Sequence, residues 1–248
     1  MTEEQIGRNV VTVKSEIARA AEEAGRDPAE VLLVAATKMN DATSVQAAIR
    51  AGIDICGENR VQEMLEKNAL GAYEGAPLHF IGHLQKNKVR QVVGLCELIH
   101  SLDSLTLLQE ISRTAEKKGL IQDVLLEVNI GNEESKSGFT PEEVPEMLAN
   151  AAELPAVRVR GLMAIPPVCE KPEENRPFFL KMRKLFVDNC GKKYDNISMD
   201  FLSMGMSGDY TEAIRCGANM VRVGTGIFGP RNYHTDPGHH EQVTEDQP

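Results

Sequence analysis

Two short stretches near the end of the sequence concentrate the residue types that bind anions: SMGMSGDYTEAI (203–214) and GTGIFG (224–229). Glycines let the backbone approach an anion without a Cβ clash. Backbone N–H groups and the hydroxyls of Ser207 and Thr225 can then donate hydrogen bonds to it. These residue types therefore favour the binding of a phosphate group. Ser207 is also predicted to cap the following helix, which would leave free backbone N–H groups at its positive end. Either stretch alone is equally compatible with an ordinary tight turn and its capping residues, but the two together favour an anion site.

The spacing of GTGIFG matches the G-x-G-x-x-G motif of dinucleotide-binding proteins, but its position does not. That motif opens a βαβ unit and needs an acidic residue about 20 positions further on. Only the polar stretch 231–248 follows. We therefore interpret Gly224 and its neighbours as a phosphate loop without a nucleotide fold.

Lys38 and Arg222 suggest which chemical groups the bound molecule has besides its phosphate. Lys38 directly follows the apolar run VLLVAAT, and an enclosed neutral amine can attack an aldehyde to form a Schiff base. Strand alternation in NMVRVG places Arg222 on one face with Met220 and Gly224, where a pyridine nitrogen could accept from it. Together these features point to pyridoxal 5'-phosphate. The alternatives are a lysine that extends from a strand end into solvent, and an Arg222 ion pair with a barrel carboxylate such as Glu127 or Asp200.

The elements that would position these residues alternate regularly along the chain. Short apolar strands are predicted near residues 31–37, 53–57, 78–82, 97–102, 123–130, 157–165, 197–205 and 219–224, with seven helices between them and one before them. Eight such units predict a (β/α)8 barrel of the TIM type with an extra N-terminal helix. A doubly wound open sheet is the alternative. In a barrel, Lys38 and both glycine-containing loops lie at the C-terminal ends of the strands, where active sites are found.

Composition narrows the class of protein further. The formal net charge of -10 argues against partners bound through anionic phosphates, so we expect neither a nucleic-acid nor a membrane partner. The five cysteines are odd in number and form no C-x-x-C pair, which favours a cytoplasmic protein without disulfides. His79 and His83 flank a strand end, so we expect no metal site there. The chain is predicted to form one domain over residues 1–248, with a loose tail at about 234–248.

An ordered set of motifs gives the sequence a family resemblance. The motifs are LLVAATK, CGENRVQEM, HFIGHLQKNKVR, EVNIGNEESKSGF, RGLMAIPP, LSMGMSGDYTEAI and MVRVGTGIFGPRNY, spanning about residues 30–233. They resemble the pyridoxal phosphate homeostasis proteins, also known as the YggS or PROSC family. The resemblance implies the barrel of the alanine racemase N-terminal domain, a fold-type III pyridoxal phosphate barrel.

The resemblance also implies roles for individual residues. Lys38 would hold pyridoxal 5'-phosphate as a Schiff base, and Asn59 would lie near the ring and its 3-oxygen. Arg222 would face the ring nitrogen. The phosphate would be held by Ser207, Gly224 and Thr225. The role of Lys136, in the loop 131–138, is left open between a contact with a ligand or a partner and a solvated charge.

Two functions fit these residues. The first is a non-catalytic carrier that controls the level of pyridoxal 5'-phosphate and delivers it to dependent apo-enzymes, and we expect it to act as a monomer. The second is an amino-acid racemase or a related enzyme. The family is regarded as lacking an established activity, and we expect no second domain that would supply the opposing base of a racemase. The carrier is therefore the preferred hypothesis.

Overall fold

Eight parallel strands close into a barrel in the computed structural model, which describes residues 1–133, 136–191 and 194–230. The strands pair in sequence order, and β8 returns to pair with β1. The strands are β1 (Leu32–Ala36), β2 (Ile55–Glu58), β3 (Leu78–Phe80), β4 (Leu98–Leu102), β5 (Gln122–Val128), β6 (Val157–Ala164), β7 (Ile197–Met206) and β8 (Met220–Val223). The predicted barrel is confirmed, and the doubly wound alternative is wrong.

Helices follow the strands around the outside of the barrel. They are α1 (Glu3–Glu23), α2 (Ala42–Arg50), α3 (Val61–Ala69), α4 (Val89–Val92), α5 (Leu105–Lys118), α6 (Val144–Ala152), α7 (Arg176–Asn189), α8 (Tyr210–Arg215) and α9 (Thr225–Phe228). The seven helices predicted between strands and the one before them are all present. Helix α9 was not predicted, because its four residues lie within the glycine motif. The predicted tail at 234–248 lies outside the described residues.

Strand alternation divides the apolar side chains into two layers. One layer fills the barrel and consists mainly of Val34, Ile55, Ile81, Leu98, Leu125, Met163 and Met220. The other layer, which includes Val221 and Val223, packs between the strands and the surrounding helices. Arg222 lies between these two valines and therefore points into the barrel, as the alternation predicts.

Helix α1 covers the seam where the barrel closes. Its buried face of Ile6, Val10, Val13, Ile17, Ala20 and Ala21 belongs to the outer apolar layer. The Asn9 side chain donates to the carbonyl of Ile227 at 2.8 Å, which attaches α1 to α9. Tyr210 donates from α8 to Glu16 of α1. The extra helix thus fixes the loops that follow β7 and β8. No helix within the described ranges is long and apolar enough to cross a membrane.

Candidate functional site

A cavity of about 300 Å³, here called the mouth cavity, opens at the C-terminal ends of the strands. Its wall contains all six residues that the sequence singled out: Lys38, Asn59, Ser207, Arg222, Gly224 and Thr225. Apolar side chains that the sequence did not single out complete the wall: Ala36, Ile81, Ile165 and Met206. They have the residue types of the core, so nothing in the sequence marks them as part of a site.

Chain topology explains why distant residues meet in this cavity. Asn59, Ser207 and Gly224 are each the first residue after a strand, following β2, β7 and β8. Lys38 is the second residue after β1, and β1 lies between β2 and β8. Parallel strands end at the same edge of a barrel, so these side chains converge.

The Ser207 hydroxyl joins the two loops that were predicted to bind a phosphate. Its Oγ accepts from the backbone N–H of Gly224 at 3.1 Å and of Gly226 at 3.4 Å. The prediction that Ser207 caps the next helix is wrong: α8 starts later, and its N-cap residue is Asp209. Because both contacts use Oγ as an acceptor, the hydroxyl proton stays available for an anion in the cavity.

Arg222 is almost completely buried and is held by neutral groups. Its Nη1 donates to the backbone oxygen of Ser203 at 3.0 Å and to the Ser203 Oγ at 2.6 Å, and its Nη2 donates to the Ala164 carbonyl at 3.0 Å. The alternative of an ion pair with a barrel carboxylate is wrong for Asp200, which pairs with Arg160 at 2.5 Å. It is also wrong for Glu127, which forms no ion pair with Arg222 in the described part of the chain. Burial lowers the pKa of Arg222 to about 10, so it stays charged at neutral pH.

Asn59 has an unsatisfied polar atom at the cavity wall. Its Oδ1 is buried and has no hydrogen-bond partner among the residues that the structure describes. The backbone of Asn59 packs directly against Gly82. A Cβ on residue 82 would lie 2.1 Å from the backbone carbonyl oxygen of Asn59, so only glycine fits at that position. A buried polar atom without a partner is costly, which suggests that a ligand in the cavity supplies one.

Lys38 is half-buried between two cavities. It lines the cavity described above and a neighbouring one of about 190 Å³, which shares Gly224 and Thr225 with it and reaches α1 at Ile6. The next residue, Met39, has a φ of 61°, and its N–H donates to Glu63 at 2.7 Å. The chain therefore turns sharply after Lys38 and is held in that turn from α3.

A buried polar cluster fixes the ends of β1 and β2 beneath the site. Lys67 of α3 pairs with Glu58 at 2.7 Å and donates to the Thr37 carbonyl at 2.8 Å. The same Glu58 oxygen accepts from the hydroxyls of Thr37 at 2.6 Å and Tyr73 at 3.1 Å. Thr37 precedes Lys38 and Glu58 precedes Asn59, so the cluster positions both residues.

Lys136 contacts its own loop and the chain after β6. Its Nζ pairs with Glu133 at 2.5 Å and donates to the Pro166 carbonyl at 3.2 Å. Lys136 is thus a half-buried charge at the barrel mouth. It is neither fully solvated nor part of the wall of the mouth cavity. Residues 134 and 135 of the loop 131–138 lie outside the described residues.

Glu127, near the end of β5, should make stability depend on pH. Burial raises the pKa of this carboxyl to about 7, with Asp103 adding to the effect. The folded state therefore binds the proton more tightly than the unfolded state, and stability falls as pH rises from about 4.5 to about 7. Glu127→Gln should raise the free energy of unfolding at pH 8 by about 2 kcal/mol, allowing for partial exposure, and should change it little at pH 5. Urea unfolding at both pH values measures this, and equal shifts at both would contradict it.

Comparison with known proteins supports the motif resemblance over nearly the whole chain. The alanine racemase N-terminal domain family matches residues 9–232. A pyridoxal phosphate homeostasis protein of Aquifex aeolicus is 44% identical over 221 residues, which cover 89% of this chain and 96% of that protein. This chain belongs to the pyridoxal phosphate homeostasis protein family. The Escherichia coli K12 member is 41% identical over 92% of this chain and 97% of its own.

Solved structures of the family have the same architecture. PipY of Synechococcus elongatus, solved with pyridoxal phosphate bound, superposes with a TM-score of 0.77 at 30% identity and covers 90% of this chain and all of its own. An alanine racemase of Clostridium difficile superposes with a TM-score of 0.65 at 17% identity, over 92% of this chain and 58% of its own. The superposition on the alanine racemase shows a shared fold.

Proposed function

We propose that this protein binds pyridoxal 5'-phosphate in the mouth cavity, holds it as a Schiff base on Lys38, and controls its level and delivery to apo-enzymes that require it. The observation that carries this proposal is the convergence of an amine, a buried arginine and two hydroxyl-bearing glycine loops on one cavity. The pyridoxal phosphate homeostasis proteins that this chain resembles, and the pyridoxal phosphate bound to PipY, support the same ligand. We place this role in the cytoplasm and expect the protein to act as a monomer.

The residues present fit this cofactor. The cavity volume of about 300 Å³ suits a single ring with a phosphate arm. Ile81 and Ile165 offer apolar walls for a flat ring, and the unpartnered buried Oδ1 of Asn59 marks a position where a ring substituent is needed. The contact between Ser207 Oγ and the Gly224 N–H holds the two loops together, so the hydroxyls of Ser207 and Thr225 can donate to one phosphate.

Each residue then has a distinct task. The Lys38 amine would form the covalent link to the aldehyde of the cofactor. The Arg222 guanidinium would donate to the ring nitrogen, and Asn59 would orient the 3-oxygen. Ser207, Gly224 and Thr225 would bind the phosphate. When bound, the cofactor supplies an aldehyde that reacts reversibly with amines, which is the chemistry a carrier needs.

Arg222 favours a carrier over an enzyme. A charged guanidinium beside the ring nitrogen keeps that nitrogen unprotonated, which weakens the ring as an electron sink. Neutral acceptors hold Arg222 in place, so its positive charge persists in the site. An amino-acid racemase must stabilise a carbanion. Arg222 beside the ring nitrogen would therefore raise the activation free energy of racemisation.

The experiment that tests the carrier function compares transfer with turnover. Protein loaded with pyridoxal 5'-phosphate should reactivate an apo-enzyme that requires the cofactor, and it should not racemise L-alanine or L-serine. Heat-inactivated loaded protein, passed through a desalting column, controls for free cofactor. Sustained racemisation that disappears in Lys38→Ala would replace the carrier by the enzyme.

The phosphate loops can be tested separately from the rest of the site. Thr225→Val and Ser207→Ala each remove a hydroxyl donor to an anion, which is worth about 1.5 to 3 kcal/mol. The Kd for pyridoxal 5'-phosphate should rise by about ten- to a hundred-fold. Equilibrium binding of pyridoxal, which lacks the phosphate, should not change. Thr106→Val, at the start of α5, is the matched control, and equal losses for both ligands would show that these loops do not bind the phosphate.

A further inference from the structure

A continuous chain of hydrogen bonds runs from Arg222 through the barrel interior. The Arg222 Nη1 donates to Ser203 Oγ at 2.6 Å, and this oxygen lies 3.1 Å from His100 Nδ1. His100 Nε2 lies 3.0 Å from His79 Nδ1. Ser203 and His100 are fully buried, and His79 is 6% exposed. The chain thus connects β8, β7, β4 and β3 across the barrel.

One set of bond directions satisfies every group in this chain. A guanidinium can only donate, so Ser203 Oγ accepts from Arg222, and the Ser203 hydroxyl donates to an unprotonated His100 Nδ1. His100 then donates from Nε2 to His79 Nδ1, which leaves both imidazoles neutral. Desolvation lowers the pKa of His79 to about 4 and that of His100 well below its usual value. Hydrogen bonds in such a chain polarise one another, so each strengthens the next.

Neutral partners have a different effect on Arg222 from a carboxylate. An aspartate or glutamate in direct contact would offset the positive charge and pull the guanidinium toward itself. The three bonds to Ser203 and Ala164 use three of the five N–H groups of Arg222. In the described part of the chain the other two have no acceptor, and Arg222 lines the mouth cavity. A ligand in that cavity therefore meets a fixed cation whose direct hydrogen-bond partners are neutral.

We propose that Ser203 and His100, supported by His79, are positioning residues that hold Arg222 for its contact with the cofactor ring nitrogen. This inference rests on the proposed function, because it needs a ring in the mouth cavity. The Ser203 hydroxyl lies in the barrel interior, on the far side of Arg222 from the ligand. Removing it should weaken the contact of Arg222 with the ring nitrogen and leave the phosphate contacts intact.

Two ligands that differ at one ring atom test this directly. The first is pyridoxal 5'-phosphate, and the second is its analogue in which C–H replaces the ring nitrogen. The parent should bind the first about ten-fold more tightly, as for one hydrogen bond to a charged group. In Ser203→Ala this preference should fall to about two-fold, and Ser203→Thr, which keeps the hydroxyl, should restore it. Leu125→Met, another substitution in the barrel interior, should keep the parent's preference.

The outcomes separate this inference from the proposed function. A parent that binds neither ligand contradicts the proposed function. A parent that binds both ligands equally overturns the contact of Arg222 with the ring nitrogen and with it the role of the chain, whereas the carrier function stands. A Ser203→Ala variant that keeps the ten-fold preference overturns the role of the chain alone. Nitrogen-15 NMR of the parent adds a test that needs no variant. Adding pyridoxal 5'-phosphate should shift the His100 ring nitrogens, whereas inorganic phosphate should not, and an unmoved His100 signal overturns the inference.

Discussion

Lys38→Ala should abolish the covalent binding of pyridoxal 5'-phosphate and the visible absorption band that accompanies it. Among the described residues, Lys38 is the lysine that lines the mouth cavity, and Arg222 and the phosphate loops lie on the same wall. The variant keeps those contacts, so we expect residual noncovalent binding whose Kd is higher by at least a hundred-fold. Absorbance titration of both proteins measures the loss.

The matched control for this substitution is Lys86→Ala. Lys86 lies at the same end of the barrel and lines a different cavity, together with His83 and Asp103. Its loss should leave the band and the Kd unchanged. A Lys38→Ala protein that keeps the parent's band would show that another lysine holds the cofactor.

Breaking the buried pair between Glu58 and Lys67 should have the largest effect on stability. The Glu58 side chain is completely buried and that of Lys67 is 9% exposed. Lys67→Met leaves the carboxylate without its cation, which costs about 3 to 5 kcal/mol. The melting temperature should therefore fall by about 10 °C for a chain of this size. Differential scanning calorimetry measures this change.

The double variant Glu58→Gln/Lys67→Met separates charge from packing. It removes both charges and should recover most of the lost stability, because no unpaired buried charge remains. Binding of pyridoxal 5'-phosphate should stay weaker than in the parent, since the cluster also holds the residues before Lys38 and Asn59. A single variant as stable as the parent would contradict the structural role of this pair.

The sequence predicted the barrel and the residues around its mouth for physical reasons. Buried parallel strands produce apolar runs of a recognisable length, and the residue after each run must lie at the mouth. Lys38 and Gly224 could be placed in this way without any contact information. Alternation within β8 likewise predicted that Arg222 points inward.

Contacts between distant elements were not predictable. The choice of Ser203 over Glu127 or Asp200 as a partner of Arg222 depends on strand register, which a single sequence does not contain. Lys67 and Glu58 have no local pattern that distinguishes a buried pair from two surface charges. The contact of Ser207 with the loop after β8 was missed because the serine also matched a helix cap, and only the start of α8 excludes that role.

The position of the covalent adduct shows which lysine holds the cofactor. Protein loaded with pyridoxal 5'-phosphate is reduced with borohydride, digested, and analysed by peptide mass spectrometry. We expect one stoichiometric pyridoxyl adduct on Lys38. An adduct on Lys136 instead, or adducts spread over surface lysines with Lys38 unmodified, would contradict it.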